Sequence, residues 1–227
     1  MQINNYSDYK VVGRKAALVQ INSVLRKTYF LLSLTLLFSA LTAYTAMAAN
    51  ITYVSPLLTI FGMFGLLFLT QALRNSNWGL VAIFAFTGFM GYTLAPLLNA
   101  YIHTYANGGS LIMTALGGTG VIFLALSLYT LISRKDFSYL GGVLFVAITI
   151  AFLASLVCLF TSLPLLQVII SAAFILISSG LILLQTSLIM NGGETNYIMA
   201  TISLYVALFN LFISLLNILS FFGGRRD

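Results

Sequence analysis

Charge is what this sequence has least of. Only 14 of its 227 residues are charged, ten Lys or Arg and four Asp or Glu. Soluble domains carry about 25% charged residues, against 6% here, and so few cannot clothe a water-facing exterior. That scarcity excludes a water-soluble fold. With 60% hydrophobic residues the chain is not disordered either. The one cysteine, Cys158, sits in an apolar run with no disulfide partner, which excludes a disulfide scaffold.

Groups for chemistry are equally sparse. A metalloprotease helix needs two histidines, and the chain has only His103. Neither zinc-ligand spacing nor a Gly-rich phosphate loop occurs, so no metal and no cofactor are expected. The four acids, Asp8, Asp136, Glu194 and Asp227, all fall outside the apolar runs. Proton-coupled carriers keep an ionisable relay at mid-membrane depth, and none is available. The paired aspartates of an intramembrane aspartyl protease are missing too. Ser178-Ser179-Gly180 has no base to activate a serine except His103. No catalytic residue is expected, and the chain does not read as an enzyme.

What the sequence does have is long apolar runs. Residues 28–73, 75–133, 137–193 and 195–224 are uncharged but for nothing more than polar side chains. One helix needs about 20 apolar residues to cross a hydrocarbon core of about 30 Å. Each of the first three runs therefore holds two spans, and the last holds one. Turn-forming segments divide them: Asn50 to Pro56, His103 to Ser110, and Thr161 to Pro164. Helices are expected at 28–49, 54–73, 78–102, 110–133, 138–160, 164–190 and 197–222. The runs lack the period-two alternation of a membrane barrel. The expected class is an all-α integral membrane protein of seven transmembrane helices, with a tail at 1–27, the helical domain at 28–222 and a short tail at 223–227.

Lys and Arg set the orientation. With the N-terminus cytoplasmic, Lys10, Arg14, Lys15, Arg26, Lys27, Arg74, Arg134 and Lys135 all lie inside. Only Arg225 and Arg226 then lie outside, because an odd helix count sends the C-terminus outward. A re-entrant last segment would bring that pair back inside. Arg26-Lys27, the following apolar run and Ala46-Met47-Ala48 imitate a cleaved signal peptide. The stretch is long enough to span, and a retained first helix is expected. The net charge of +6 anchors the spans against anionic headgroups. It points to membrane lipid as a partner and not to nucleic acid.

The last span carries a polar stripe. Ser203, Ala207, Asn210, Ser214 and Asn217 follow at +4, +3, +4, +3 and share one helix face. Such a face avoids lipid tails, so this helix is expected at the centre of the bundle. The stripe is either interhelical hydrogen-bond glue or the wall of a hydrated cavity. The sixth span, with Ser178, Ser179, Gln185, Thr186 and Ser187, faces the same two readings. Between these spans lies Gly192-Gly193-Glu194-Thr195-Asn196, whose glycines suit a helix end and whose polar residues suit the next helix start. The glycines at 62 and 65, 88 and 91, 117, 118 and 120, and 141 and 142 read as devices for close helix packing.

Several segments resemble the Bax inhibitor family, in particular its bacterial YccA-like branch. They are Thr28–Thr35, Ala85–Phe89, Arg134-Lys135-Asp136 with Leu140-Gly141-Gly142, and Ile175–Gly180. The most specific is Gly192 to Ile198, running into Ser203-Leu204-Tyr205 and Asn210. The resemblance implies a seven-helix inner-membrane protein that binds and modulates the membrane AAA protease FtsH. An AAA protease must grip a flexible cytosolic end, and the N-terminal tail, which fully extended reaches about 90 Å, is the expected grip; a seven-span bundle pulled by it would be a slow substrate. Other members of the family resemble pH-sensitive calcium leak channels gated by an aspartate pair on the sixth and seventh helices. Here those positions are Gln185 and Ala207, which carry no titratable proton. A cation leak of that kind is the weaker expectation.

Overall fold

The computed structural model describes residues 4–158 and 164–223, with side chains described from Gln20 onward. The chain folds into seven helices: α1 (Asn4–Ala48), α2 (Pro56–Ala72), α3 (Trp78–Thr104), α4 (Gly108–Ser133), α5 (Leu140–Cys158), α6 (Pro164–Met190) and α7 (Tyr197–Phe222). Six of them are long and apolar enough to cross a membrane, α1 through its part Gln20–Ala48. The shorter α2, also apolar, has 17 residues, about 25 Å at 1.5 Å per residue. The protein is an all-α integral membrane protein. The expected boundary at 160, most of the Thr161 to Pro164 break and the Arg225-Arg226 pair lie outside the described residues.

One boundary is corrected outright. The first helix starts at Asn4, not at residue 28, and runs for 45 residues. No proline interrupts it, and Ala16, Ala17, Leu18 and Gln20 all favour helix. Charges at Arg26 and Lys27 mark where the apolar part begins; they do not end a helix. At about 1.5 Å per residue α1 is about 68 Å long, roughly twice the hydrocarbon thickness. Its N-terminal part therefore stands beyond the membrane as helix, and the extended reach of the tail shrinks accordingly.

Helix ends follow from local chemistry. At the end of α1, Asn50 takes φ 53°. Its N–H bonds the Met47 carbonyl at 2.9 Å, and the Ile51 N–H bonds Ala46 at 3.1 Å. At the end of α6, Gly192 takes φ 74°, while the Gly193 N–H bonds the Leu188 carbonyl at 2.8 Å. Both ends are Schellman motifs, which need a residue tolerant of the left-handed region.

Packing centres on α3 and α7. The last helix lies against α1, α3, α4 and α6, whereas among the described residues α2 packs mainly on α3 and α5 mainly on α6. The main core joins Leu31 and Leu32 of α1, Phe86 of α3, Ile182 of α6, and Leu204 and Leu211 of α7. The backbones of α1 and α3 come close at Gly91, where an added Cβ would strike the Ser39 carbonyl and the Thr42 hydroxyl. Gly62 and Gly88 are likewise crowded, by Phe89 and Phe38. The other glycines named above are corrected. A Cβ at Gly65, Gly117, Gly120, Gly141 or Gly142 would meet nothing within 4 Å, and at Gly118 only an ordinary contact. They do not serve close packing within this chain.

Candidate functional site

The stripe of α7 is held from within the bundle. Asn217 Oδ1 accepts a 2.5 Å hydrogen bond from the Tyr101 hydroxyl of α3. Asn210 donates through Nδ2 to the Val206 carbonyl of its own helix at 3.0 Å. Ser214 and Ala207 are buried, and Ser203 is half-buried. On α6, Gln185 is half-buried with its Nε2 enclosed and unpartnered. The buried Ser178 hydroxyl also lacks a partner.

A cavity of 380 Å³ lies beside α7, on its other side. Tyr205, Leu208, Phe209 and Phe212 form its wall, and on a 3.6-residue helix they fall opposite the stripe. None of Gln185, Ser203, Asn210, Ser214 or Asn217 lines it. At its inner end the Tyr205 hydroxyl sits 2.6 Å from Ser39 Oγ of α1 and donates at 3.3 Å to the Thr87 carbonyl of α3. Sequence reasoning missed this hydroxyl as a junction of three helices. Its only signal was its place in the Ser203-Leu204-Tyr205 segment.

The second locus is one end of the bundle, where three connections are tied together. Asn196 caps α7: its Oδ1 accepts from the backbone N–H groups of Ile198 at 3.0 Å and Met199 at 3.1 Å. Its Nδ2 donates at 2.9 Å both to the Arg74 carbonyl and to Asn75 Oδ1, in the α2–α3 connection. Glu194 Oε1 in turn accepts from the Asn196 N–H at 2.7 Å. Thr195, Gly192 and Gly193 are exposed.

Ser187, near the end of α6, does the same for the α4–α5 connection. Its Oγ accepts from the Phe137 N–H at 2.9 Å and from Asn191 Nδ2 at 3.2 Å, and it donates to the Lys135 carbonyl at 3.3 Å. Beside it, the exposed Asp136 carboxyl is held below its ordinary range by the Ser138 N–H, 2.9 Å from Oδ1. The start of α7 also meets α1, where Lys27 Nζ lies 5.7 Å from the Tyr197 ring centroid. The Thr201 hydroxyl, bonded mainly to the Tyr197 carbonyl at 2.7 Å, reaches the Thr28 carbonyl at 3.3 Å.

This end gathers Arg26, Lys27, Arg74, Arg134 and Lys135 with Asp136 and Glu194, five cations against two anions. The opposite end, with residues 49–55 and 105–107, has no charged residue among those described. Nor do any three of His, Cys, Asp and Glu come together among the described residues. The arrangement offers anchoring, capping and packing, with a cation-rich face.

Residues 21–224 match the family model for the inhibitor of apoptosis-promoting Bax1. The chain is 50% identical over 213 residues to the Escherichia coli K12 protein called modulator of FtsH protease YccA, covering 94% of this chain and 95% of that one. The same identity and coverage hold for the inner membrane protein YccA of Escherichia coli O6:H1. An uncharacterised Pseudomonas aeruginosa protein is 50% identical over 216 residues, 95% of this chain and 97% of its own.

Proposed function

The chain belongs to the Bax inhibitor family, and from that premise we propose that it binds the membrane protease FtsH and restrains it. The observation that carries this reading is the 50% identity, along 94% of the chain, to the protein called modulator of FtsH protease. In this reading the protein lies in the bacterial inner membrane and all seven helices cross it, with α7 at the centre. The cation-rich end faces the cytoplasm, as the Lys and Arg bias requires, and the C-terminus is periplasmic.

The geometry gives the reading a physical basis. An AAA protease pulls on a cytosolic segment, and among the described residues α1 extends 16 residues N-terminal to its own span, Gln20–Ala48. Pulling on α1 meets a helix packed against α3, α6 and α7, whose cytoplasmic connections are cross-tied by Asn196 and Ser187. Extraction is slow, and a slow substrate occupies the protease. The polar faces of α6 and α7 serve as helix contacts in this reading, and the cation-leak alternative gains nothing from a cavity that lies on the opposite side of α7.

Co-purification tests the binding. Tagged protein extracted in mild detergent should retain FtsH, and retain it still when residues 2–19 are removed. If no FtsH is retained by either form, the reading is wrong.

A further inference from the structure

We propose that the 380 Å³ cavity is a binding slot for one acyl chain of a phospholipid, taken from the leaflet at the end where α1 finishes and α4 begins. Its walls run from Leu36 to Met47 on α1 and from Ile112 to Phe123 on α4. Eleven residues of helix rise about 17 Å, so the slot lies along the bundle axis. It starts at mid-depth, beside Tyr205, and finishes next to the last turn of α1 and the first turns of α4. Phe123, at the deep end of the α4 wall, meets the Tyr29 ring of α1, centroids 5.8 Å apart. The backbones of α1 and α4 are not closely packed.

The slot opens sideways. Its rim residues Leu36, Tyr44 and Leu116 are 37%, 70% and 50% exposed. They continue into Leu37, Val121 and Leu124, which are exposed apolar side chains of the surface that the membrane covers. At Gly120 a Cβ would meet nothing within 4 Å, so the protein's own side chains do not fill this space.

Lining and access select the occupant. The walls are almost wholly apolar side chains of α1, α3, α4 and α7, and the opening lies among exposed apolar side chains. Water is disfavoured, because apolar cavities stay dry and take apolar guests. Apart from the exposed rim residue Tyr44, the side-chain hydroxyls of the slot are satisfied within the protein: Ser39 and Tyr205 by each other, Thr119 by the Ala115 carbonyl at 2.8 Å. A single hydrocarbon chain, entering from lipid beside it, matches both the elongated shape and the apolar lining.

Photolabelling tests this in proteoliposomes of phosphatidylethanolamine and phosphatidylglycerol. A phosphatidylcholine carrying a diazirine at the end of one acyl chain is added, irradiated, and its adducts mapped by mass spectrometry. Tyr205 is only 1% exposed even with the slot empty, so the half-buried Phe209, which also lines the slot, is the reporter. Adducts are expected on Phe209 as well as on exposed residues such as Leu37. They should be lost from Phe209 in Gly120→Leu, which fills the slot, and kept in Gly117→Leu, which changes the same helix outside it. Adducts on exposed residues alone would overturn the proposal, as would Phe209 adducts unchanged in folded Gly120→Leu. If Gly120→Leu does not fold, the wild-type map decides by itself.

Discussion

Ser39 of α1 and Tyr205 of α7 are 166 residues apart in sequence and join their hydroxyls at 2.6 Å. Tyr205 also reaches the Thr87 carbonyl of α3, so one phenol links the three helices that form most of the core. Tyr205→Phe keeps the ring and removes both bonds. Interhelical hydrogen bonds in membranes are worth about 0.6 kcal/mol, up to about 1.7, so the variant should melt slightly lower in detergent. Tyr205→Ala also empties a fully buried site and should cost about 3–5 kcal/mol. Equal melting of the two variants would show that packing at Tyr205 is unimportant.

Asn196 performs two separable tasks, and two substitutions separate them. Asn196→Asp keeps the cap on the Ile198 and Met199 N–H groups but loses the donation to Arg74 and Asn75. Asn196→Ala loses both, and cap loss alone costs about 1 kcal/mol. Hydrogen exchange around residues 74–77 should rise in both variants, while exchange at residues 198–199 should rise only in Asn196→Ala. Protection at 74–77 that is unchanged in Asn196→Ala would contradict the tie between these connections.

Gln185 and Asn217 should respond in opposite directions to leucine. Asn217→Leu strands the Tyr101 hydroxyl and should destabilise by about 1–3 kcal/mol. Gln185→Leu removes an enclosed amide whose Nε2 has no partner, and should be neutral or stabilising. Thermal melting in detergent compares the two; a large loss in Gln185→Leu would mean that its amide has a partner in the membrane.

Glycines divide in the same measurable way. Gly91→Ala drives a Cβ into the Ser39 carbonyl and the Thr42 hydroxyl, so α1 and α3 must separate and the melting temperature should fall. Gly117→Ala meets nothing and gains about 1 kcal/mol of helix propensity. Equal melting of the two variants would contradict the close approach of α1 and α3.

Much of this fold is legible from charge and hydropathy, because a bilayer imposes a fixed apolar length on each helix. The ends of α6 and α7 could be read from Pro164, Gly192 and Asn196, whose chemistry is local. The start of α1 could not, since charge marks where the membrane begins while helix continues through Lys10 and Arg14 despite Gly13 between them. The polar stripe was legible as a period in α7, but Tyr101, its partner at Asn217, is 116 residues away and no local pattern points to it. The slot left no trace in the sequence at all. It lies between α1 and α4, whose backbones are not closely packed, a property of helix placement and not of any segment. Glycine spacing misled for a related reason, since Gly88 and Gly117 look alike until their neighbours are known.

The grip of the protease is tested by removing residues 2–19, which leaves the apolar part Gln20–Ala48 intact. Degradation of this protein by FtsH should stop, while retention of FtsH persists. Degradation at the full-length rate would place the grip elsewhere.

The most direct test of restraint is the half-life of an FtsH membrane substrate in proteoliposomes, with FtsH alone and with FtsH plus this protein. The account predicts a longer half-life when the protein is present, increasing with its amount until FtsH is saturated. An unchanged half-life at saturating amounts would contradict it.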